Sequence, residues 1–333
     1  MSKKENIISA VNRALSYALE NDKDVFLMGE DIADEEGGGV LKVTHGLSSK
    51  YGADRVLSTP ISEMAFTGAG VGAAIAGMKP VVEIMLMNFT AVCMDQITNH
   101  AAKIRYMSGG QTNVPMVIRT MTGSGFQTGG QHSDFLEAWF CHTPGLKVVM
   151  PSNAKDAYGL LLSAINDPDP VIYIEHSASY WNEGEAAEDG ELVPIGKANI
   201  VREGSDITLI GYSRSMMDLS MVASKFEGDG ISCEVIDLRT VSPIDYDTVL
   251  KSVKKTGRAL IAHEAVKSFG VGAEVSATIQ ERAFKYLKAP VARVASKDTP
   301  VPFAKNLESE FTYALSDIEN AVLSCMNYAE SDK

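Results

Sequence analysis

Cysteine is scarce in this sequence: Cys93, Cys141, Cys233 and Cys325 are the only four in 333 residues, and none forms a Cys-x-x-Cys pair. That spacing argues against a disulfide framework or a cysteine zinc site. Free thiols suit a reducing compartment, so a cytoplasmic location is expected. Basic charge is also short. Lys and Arg number 30 against 43 Asp and Glu, a net charge of −13, so no nucleic-acid partner is expected, because that needs a basic face. No apolar run approaches the ~18–20 residues of a membrane span, and no membrane partner is expected either. Met1-Ser2-Lys3-Lys4-Glu5-Asn6 leads into an amphipathic stretch rather than a uniformly apolar one, so no secretory signal is expected. There is no Gly-x-Ser-x-Gly elbow for a hydrolase. His45, His100, His142, His176 and His263 show no metal-ligand spacing.

What is present is ordinary globular composition, 45% hydrophobic and 22% charged, in a chain long enough for two domains. Ile7, Ile8, Val11, Leu15, Ala18 and Leu19 recur at helical spacing. Strand patterns follow at 24–31, 81–86, 114–119, 146–151 and 171–175. A helix is predicted over 88–106, with Val92, Ile97 and Ala101 facing inward. Residues 177–190 are rich in Asn, Gly and carboxylates and read as an exposed linker. Strand and helix patterns alternate again from Ile207. The expected fold class is therefore α/β, with two parallel-sheet domains: residues 1–176, a linker over 177–197, and a smaller domain over 198–333.

The stretch that organises the chain is Thr59-Pro60-Ile61-Ser62-Glu63-Met64-Ala65-Phe66, running into the small-residue segment Thr67–Gly77. Pro60 sets an extended entry, and Ser62 is placed to cap a helix that begins near Glu63. A carboxylate at the mouth of an uncharged Gly/Ala segment is costly to bury alone, which makes Glu63 a site candidate. Equally, a first-turn Glu can do no more than complement the helix dipole. Glu30-Asp31 is either a solvated strand end or part of a pocket. His132 lies late in the Gly-rich loop 122–134, as a proton-transfer group or as a loop histidine bonded to local backbone. Gly68-x-Gly70-x-x-Ala73 lacks the preceding strand and later acidic residue of a dinucleotide fingerprint. Gly228-Asp229-Gly230 opens like a thiamine diphosphate–metal motif, but no asparagine closes it, and it reads as a surface turn.

Several blocks occur in one order: Gly29-Glu30-Asp31, Thr59-Pro60-Ile61-Ser62-Glu63, Asp95-Gln96-Ile97, Ala101-Ala102-Lys103, Gly130-Gln131-His132-Ser133, Pro144–Val149 and Thr299-Pro300-Val301-Pro302. Over nearly its whole length the chain resembles the β subunit of the thiamine-diphosphate-dependent decarboxylating component of 2-oxo acid dehydrogenase complexes. Gly38–Thr44, Cys93–Gln96 and Ile118–Met121 are most similar to acetoin dehydrogenase β chains. The resemblance implies a pyrimidine-binding domain followed by a transketolase C-terminal-like domain, and an α2β2 heterotetramer. Its α chain would hold the diphosphate through magnesium. Glu63 would hydrogen-bond the pyrimidine ring, Ile61, Met85 and Phe89 would pack on it, and Glu30 would lie near the reaction centre. His132 would orient or protonate substrate and serve transfer to lipoamide of a dihydrolipoyl acyltransferase. A potassium ion would be held by Met116, Ala164, Ile165, Asp167 and Asp169. Two departures stand out. Asp134-Phe135 replaces the usual Gln and small or apolar residue, and Phe303–Leu307 lacks the usual proline-containing segment.

Overall fold

In the computed structural model, residues 3–328 are described, and they form two compact units. One holds residues up to Thr122 together with Gln131–Ile195, and the other holds Gly123–Gly130 and the chain from Gly196 onward.

In the first unit, α1 (Ile7–Asn21) begins at Asn6, whose side chain accepts from the Ser9 N–H at 2.9 Å. Its buried stripe of Ile7, Val11, Ala14, Leu15 and Ala18 has the spacing that buries one helix face. The strands are β1 (Val25–Gly29), β2 (Val56–Ser58), β3 (Lys79–Ile84), β4 (Val117–Thr122), β5 (Lys147–Val149) and β6 (Val171–His176). They run parallel in the order β5-β6-β4-β3-β1-β2. β6 is buried at every position, as expected of a parallel strand covered on both faces. α2 (Glu63–Ile75) follows β2, and α3 (Ala154–Ile165) packs against α1. Close packing of α2 on the sheet depends on Gly70, where a Cβ would lie 2.7 Å from Val82 Cγ2.

The second unit repeats the α/β rhythm. Its strands are β7 (Asn199–Arg202), β8 (Ile207–Gly211), β9 (Cys233–Asp237), β10 (Ala259–Val266) and β11 (Ala292–Ser296). They form a five-stranded sheet in the order β11-β10-β8-β9-β7, with only β7 antiparallel. Leu209, Leu219, Val222, Phe226, Val235, Leu260, Ile318 and Val322 belong to its core. Among the described residues no helix is long and apolar enough to cross a membrane.

Two sequence expectations are corrected. The stretch read as an exposed linker (177–190, drawn as 177–197) belongs to the first unit as far as Ile195. Tyr180, Ala187 and Val193 are 1%, 7% and 6% exposed in the first core, and Glu183–Glu185 pairs antiparallel with Lys4–Asn6. Its few apolar anchors are masked in the sequence by the polar residues between them. The single helix expected over 88–106 is three short pieces: a 3-10 turn at Met87–Cys93, a π-helical turn at Gln96–Ala101 and an α-turn at Ile104–Met107. The change of winding turns Val92 outward (51% exposed) while Ile97 and Ala101 stay buried. Loop 122–134 is divided between the two units. Residues 123–130 are tied to the second unit by Glu264, which accepts from the Ser124 N–H and hydroxyl at 2.9 and 2.6 Å, and by Glu308, which accepts from the Gly125 N–H at 2.8 Å.

Candidate active site

β1 ends at Gly29, where a Cβ would lie 2.7 Å from the Glu83 carbonyl oxygen, so only glycine lets the strands approach this closely here. The chain then turns through Asp31, which sits in the left-handed region at φ 55°. This turn leaves Glu30 buried, 9% exposed, at the end of the strand. Glu63 opens α2 and is 8% exposed. Ser62, expected from the sequence to cap the helix, does not do so with its side chain. Its hydroxyl donates to the Pro60 carbonyl at 3.2 Å, and its backbone N–H binds the Glu30 carboxylate. Burial first, then the negative charges of Glu63 and Asp31, raises the Glu30 carboxyl above the usual carboxylate range. Glu30 Oε1 is buried with no hydrogen-bond partner. The Cys93 thiol is pushed up to about 11, mainly by burial and in part by the charge of Glu63. All four cysteines are free thiols.

Met85 follows β3 and Phe89 sits in the Met87–Cys93 turn; both are half-buried. The His132 ring meets the Phe89 ring edge-on, centroids 5.4 Å apart at 77°, and its Nδ1 is buried without a hydrogen-bond partner. Ile61 is 85% exposed. The structure thus joins Glu30 to Glu63 and Phe89 to His132.

The expected potassium ligands are placed differently. Lys147 Nζ donates to both Asp167 oxygens at 2.6 and 2.7 Å and lies 3.3 Å from Asp169, whose other oxygen takes Arg105 at 2.5 Å. The Ala164 carbonyl accepts from the Asp167 N–H at 3.2 Å and the Met116 carbonyl from the Val171 N–H at 3.0 Å; Ile165 is buried in the core. Both carboxylates are therefore paired with basic side chains. Among the described residues no group of three or more His, Cys, Asp or Glu is arranged to hold a metal ion.

Sequence reading missed one charged cluster. Arg119 on β4 stands in register with Glu83 on β3, and it binds Glu83, Glu175 (Nη2 to Oε2 at 2.8 Å) and the Tyr180 hydroxyl (3.3 Å). Burial would lower the Arg119 pKa, but the charges of Glu175 and Glu83 outweigh it and hold the guanidinium ionised. The signal was there: single charges inside the strands Val81–Leu86 and Val114–Arg119. Which partners they would meet depends on strand order, which a local pattern does not encode.

A thiamine aminopyrimidine presents ring and amino nitrogens on its edge and two flat faces. The buried carboxylates of Glu63 and Glu30, one with an unused oxygen, have the hydrogen-bonding chemistry that such an edge needs.

Comparison with known proteins agrees with this chemistry. Residues 3–181 match the transketolase pyrimidine-binding domain, and residues 196–318 match the transketolase C-terminal domain. The chain is 44% identical to the acetoin:2,6-dichlorophenolindophenol oxidoreductase subunit beta of Cupriavidus necator, over 98% of each chain. It is 45% identical to a mitochondrial pyruvate dehydrogenase E1 component subunit beta-1 of Arabidopsis thaliana, covering 96% of this chain and 88% of that one. A solved split-gene transketolase, an inactive β4 tetramer, shares the fold with a TM-score of 0.79 at 19% identity, over 96% of this chain and 98% of that one. The chain belongs to the family of β subunits of thiamine-diphosphate-dependent acetoin and 2-oxo acid dehydrogenases.

Proposed function

We propose that this chain is the β subunit of a dehydrogenase that cleaves the carbon–carbon bond beside the carbonyl of acetoin or a small 2-oxo acid. It works with an α subunit in an α2β2 assembly and passes the acyl group to lipoamide of a dihydrolipoyl acyltransferase. The observation that carries this reading is the pair of buried carboxylates, Glu63 at the start of α2 and Glu30 with an unpartnered oxygen. The C. necator relative, similar over nearly the full length of both chains, favours acetoin as substrate. The α partner holds the diphosphate and its magnesium, and the complex is cytoplasmic.

Thiamine diphosphate, when bound, would supply the carbanion chemistry needed to cleave a bond beside a carbonyl. Glu63, buried at the start of α2, would hydrogen-bond the pyrimidine ring nitrogen. Ile61, Met85 and Phe89 cover the ring faces and exclude water. Glu30, whose carboxyl holds its proton more tightly than a free one, donates or accepts near the reacting carbonyl. His132 orients substrate through its imidazole.

Dye-linked oxidation by the chain assembled with its α partner, thiamine diphosphate and magnesium tests the reading. Acetoin, pyruvate and branched 2-oxo acids are compared for wild type and Glu63→Gln. Turnover of one substrate that collapses in the variant is expected. Intact turnover in Glu63→Gln would leave only a scaffolding role, and acyloin formation with neither dye nor lipoyl domain present would indicate an acyloin-forming enzyme.

A further inference from the structure

We infer that Asp134 is a positioning residue for His132, acting through a two-bond clamp with Asn88 that ties the His132 segment to the turn bearing Phe89. Asn88 Nδ2 donates to Asp134 Oδ2 at 2.8 Å, and the Asp134 backbone N–H donates to Asn88 Oδ1 at 3.1 Å. The two bonds close a ring, so they fix the Asp134 side chain and its backbone together. The Thr122 hydroxyl donates to the Asp134 carbonyl at 2.6 Å, which spends the remaining backbone group of that residue. Two residues upstream of this anchor lies His132; one residue beyond Asn88 lies Phe89, the ring that His132 meets edge-on. His132 Nδ1 makes no hydrogen bond. An imidazole normally takes its orientation from the bond at its second nitrogen. Here the orientation comes instead from Phe89 and from the backbone that Asp134 anchors, so a slip between 88–89 and 132–134 would turn the ring. Burial raises the Asp134 carboxyl, and the Asn88 bond opposes the rise, as befits a carboxylate committed to a partner rather than to solvent.

The inference rests on the dehydrogenase reading only for the role of His132 at the reaction centre. In the assembled enzyme, Asp134→Ala is expected to lower kcat by about 10–100-fold, the scale of a small misplacement of a catalytic group, with KM within about threefold. Asn88→Ala should do the same. Asp134→Asn, which keeps an acceptor for the Asn88 amide, should restore most of the activity. The deciding measurement is Asp134→Ala made on a His132→Ala background, where no further loss is expected because the two residues act as one unit. A second readout needs no cofactor: in the full chain with its α partner, Asp134→Ala should raise the rate of His132 modification by diethyl pyrocarbonate, followed by peptide mass spectrometry. An equal loss on both His132 backgrounds would mean a general structural role and overturn the inference. So would an unchanged kcat together with an unchanged modification rate. If wild type turns over none of the substrates, the dehydrogenase reading fails, and the modification rate alone decides the clamp.

Discussion

Glu83 and Glu175 on one side, and Glu30 and Glu63 on the other, are largely buried carboxylates of the same unit, but only the first two face a cation. Arg119 binds both, and Tyr180 completes their shell. Glu30 and Glu63 have no basic residue between them. Burial and the nearby charge of Glu63 raise the Glu30 carboxyl, and an oxygen of Glu30 is left unmatched. A buried charge with its partners in place serves the fold, and removing a partner is what costs. A buried charge left without partners is tolerated where a ligand completes it.

Three substitutions sharpen or break that contrast. Glu63→Gln should reduce kcat of the assembled enzyme by about 10²–10⁴-fold while leaving the melting temperature nearly unchanged. A large drop in melting temperature would place Glu63 among the structural carboxylates. Arg119→Leu should show the opposite pattern, a destabilisation of about 3–5 kcal/mol in urea unfolding, because it strands two carboxylates. Adding Glu83→Gln and Glu175→Gln to it should recover part of that loss. No recovery would mean that packing around the guanidinium, rather than charge pairing, holds the cluster.

The smallest effect concerns Glu30. Its folded-state pKa is raised, so the folded state favours the protonated form. The resulting stabilisation is fully present below the unfolded carboxyl value of about 4.3 and is lost as pH rises through the folded value. Glu30→Gln, neutral throughout, should therefore raise the melting temperature by ~1–3 °C at pH 7 and not at pH 4. An equal gain at both pH values would rule out relief of the carboxylate charge as its origin.

Much of this was legible along the chain. The small-residue segment after Glu63 reads as a helix in close contact, and Gly70 against Val82 is that contact. Glu63 and His132 stood out, one as a carboxylate at the edge of an uncharged run, the other as an imidazole in a Gly-rich loop. At the Asp167–Asp169 turn the sequence did not show that Lys147 reaches Asp167 from a neighbouring strand 20 residues away. The linker misled because Tyr180 and Val193 are isolated apolar residues among polar ones, too sparse for a period.

Helix and strand alternation, two α/β domains and the candidates Glu30, Glu63 and His132 followed from residue order, since amphipathic period, caps and glycine segments act over a few neighbours. Folding settled which of those charges have partners. Arg119 meets Glu83 across 36 residues and Glu175 across 56, and Asn88 meets Asp134 across 46. Such pairings depend on strand order and on where loops land. That long-range geometry makes one pair of carboxylates part of the fold and leaves the other open to chemistry.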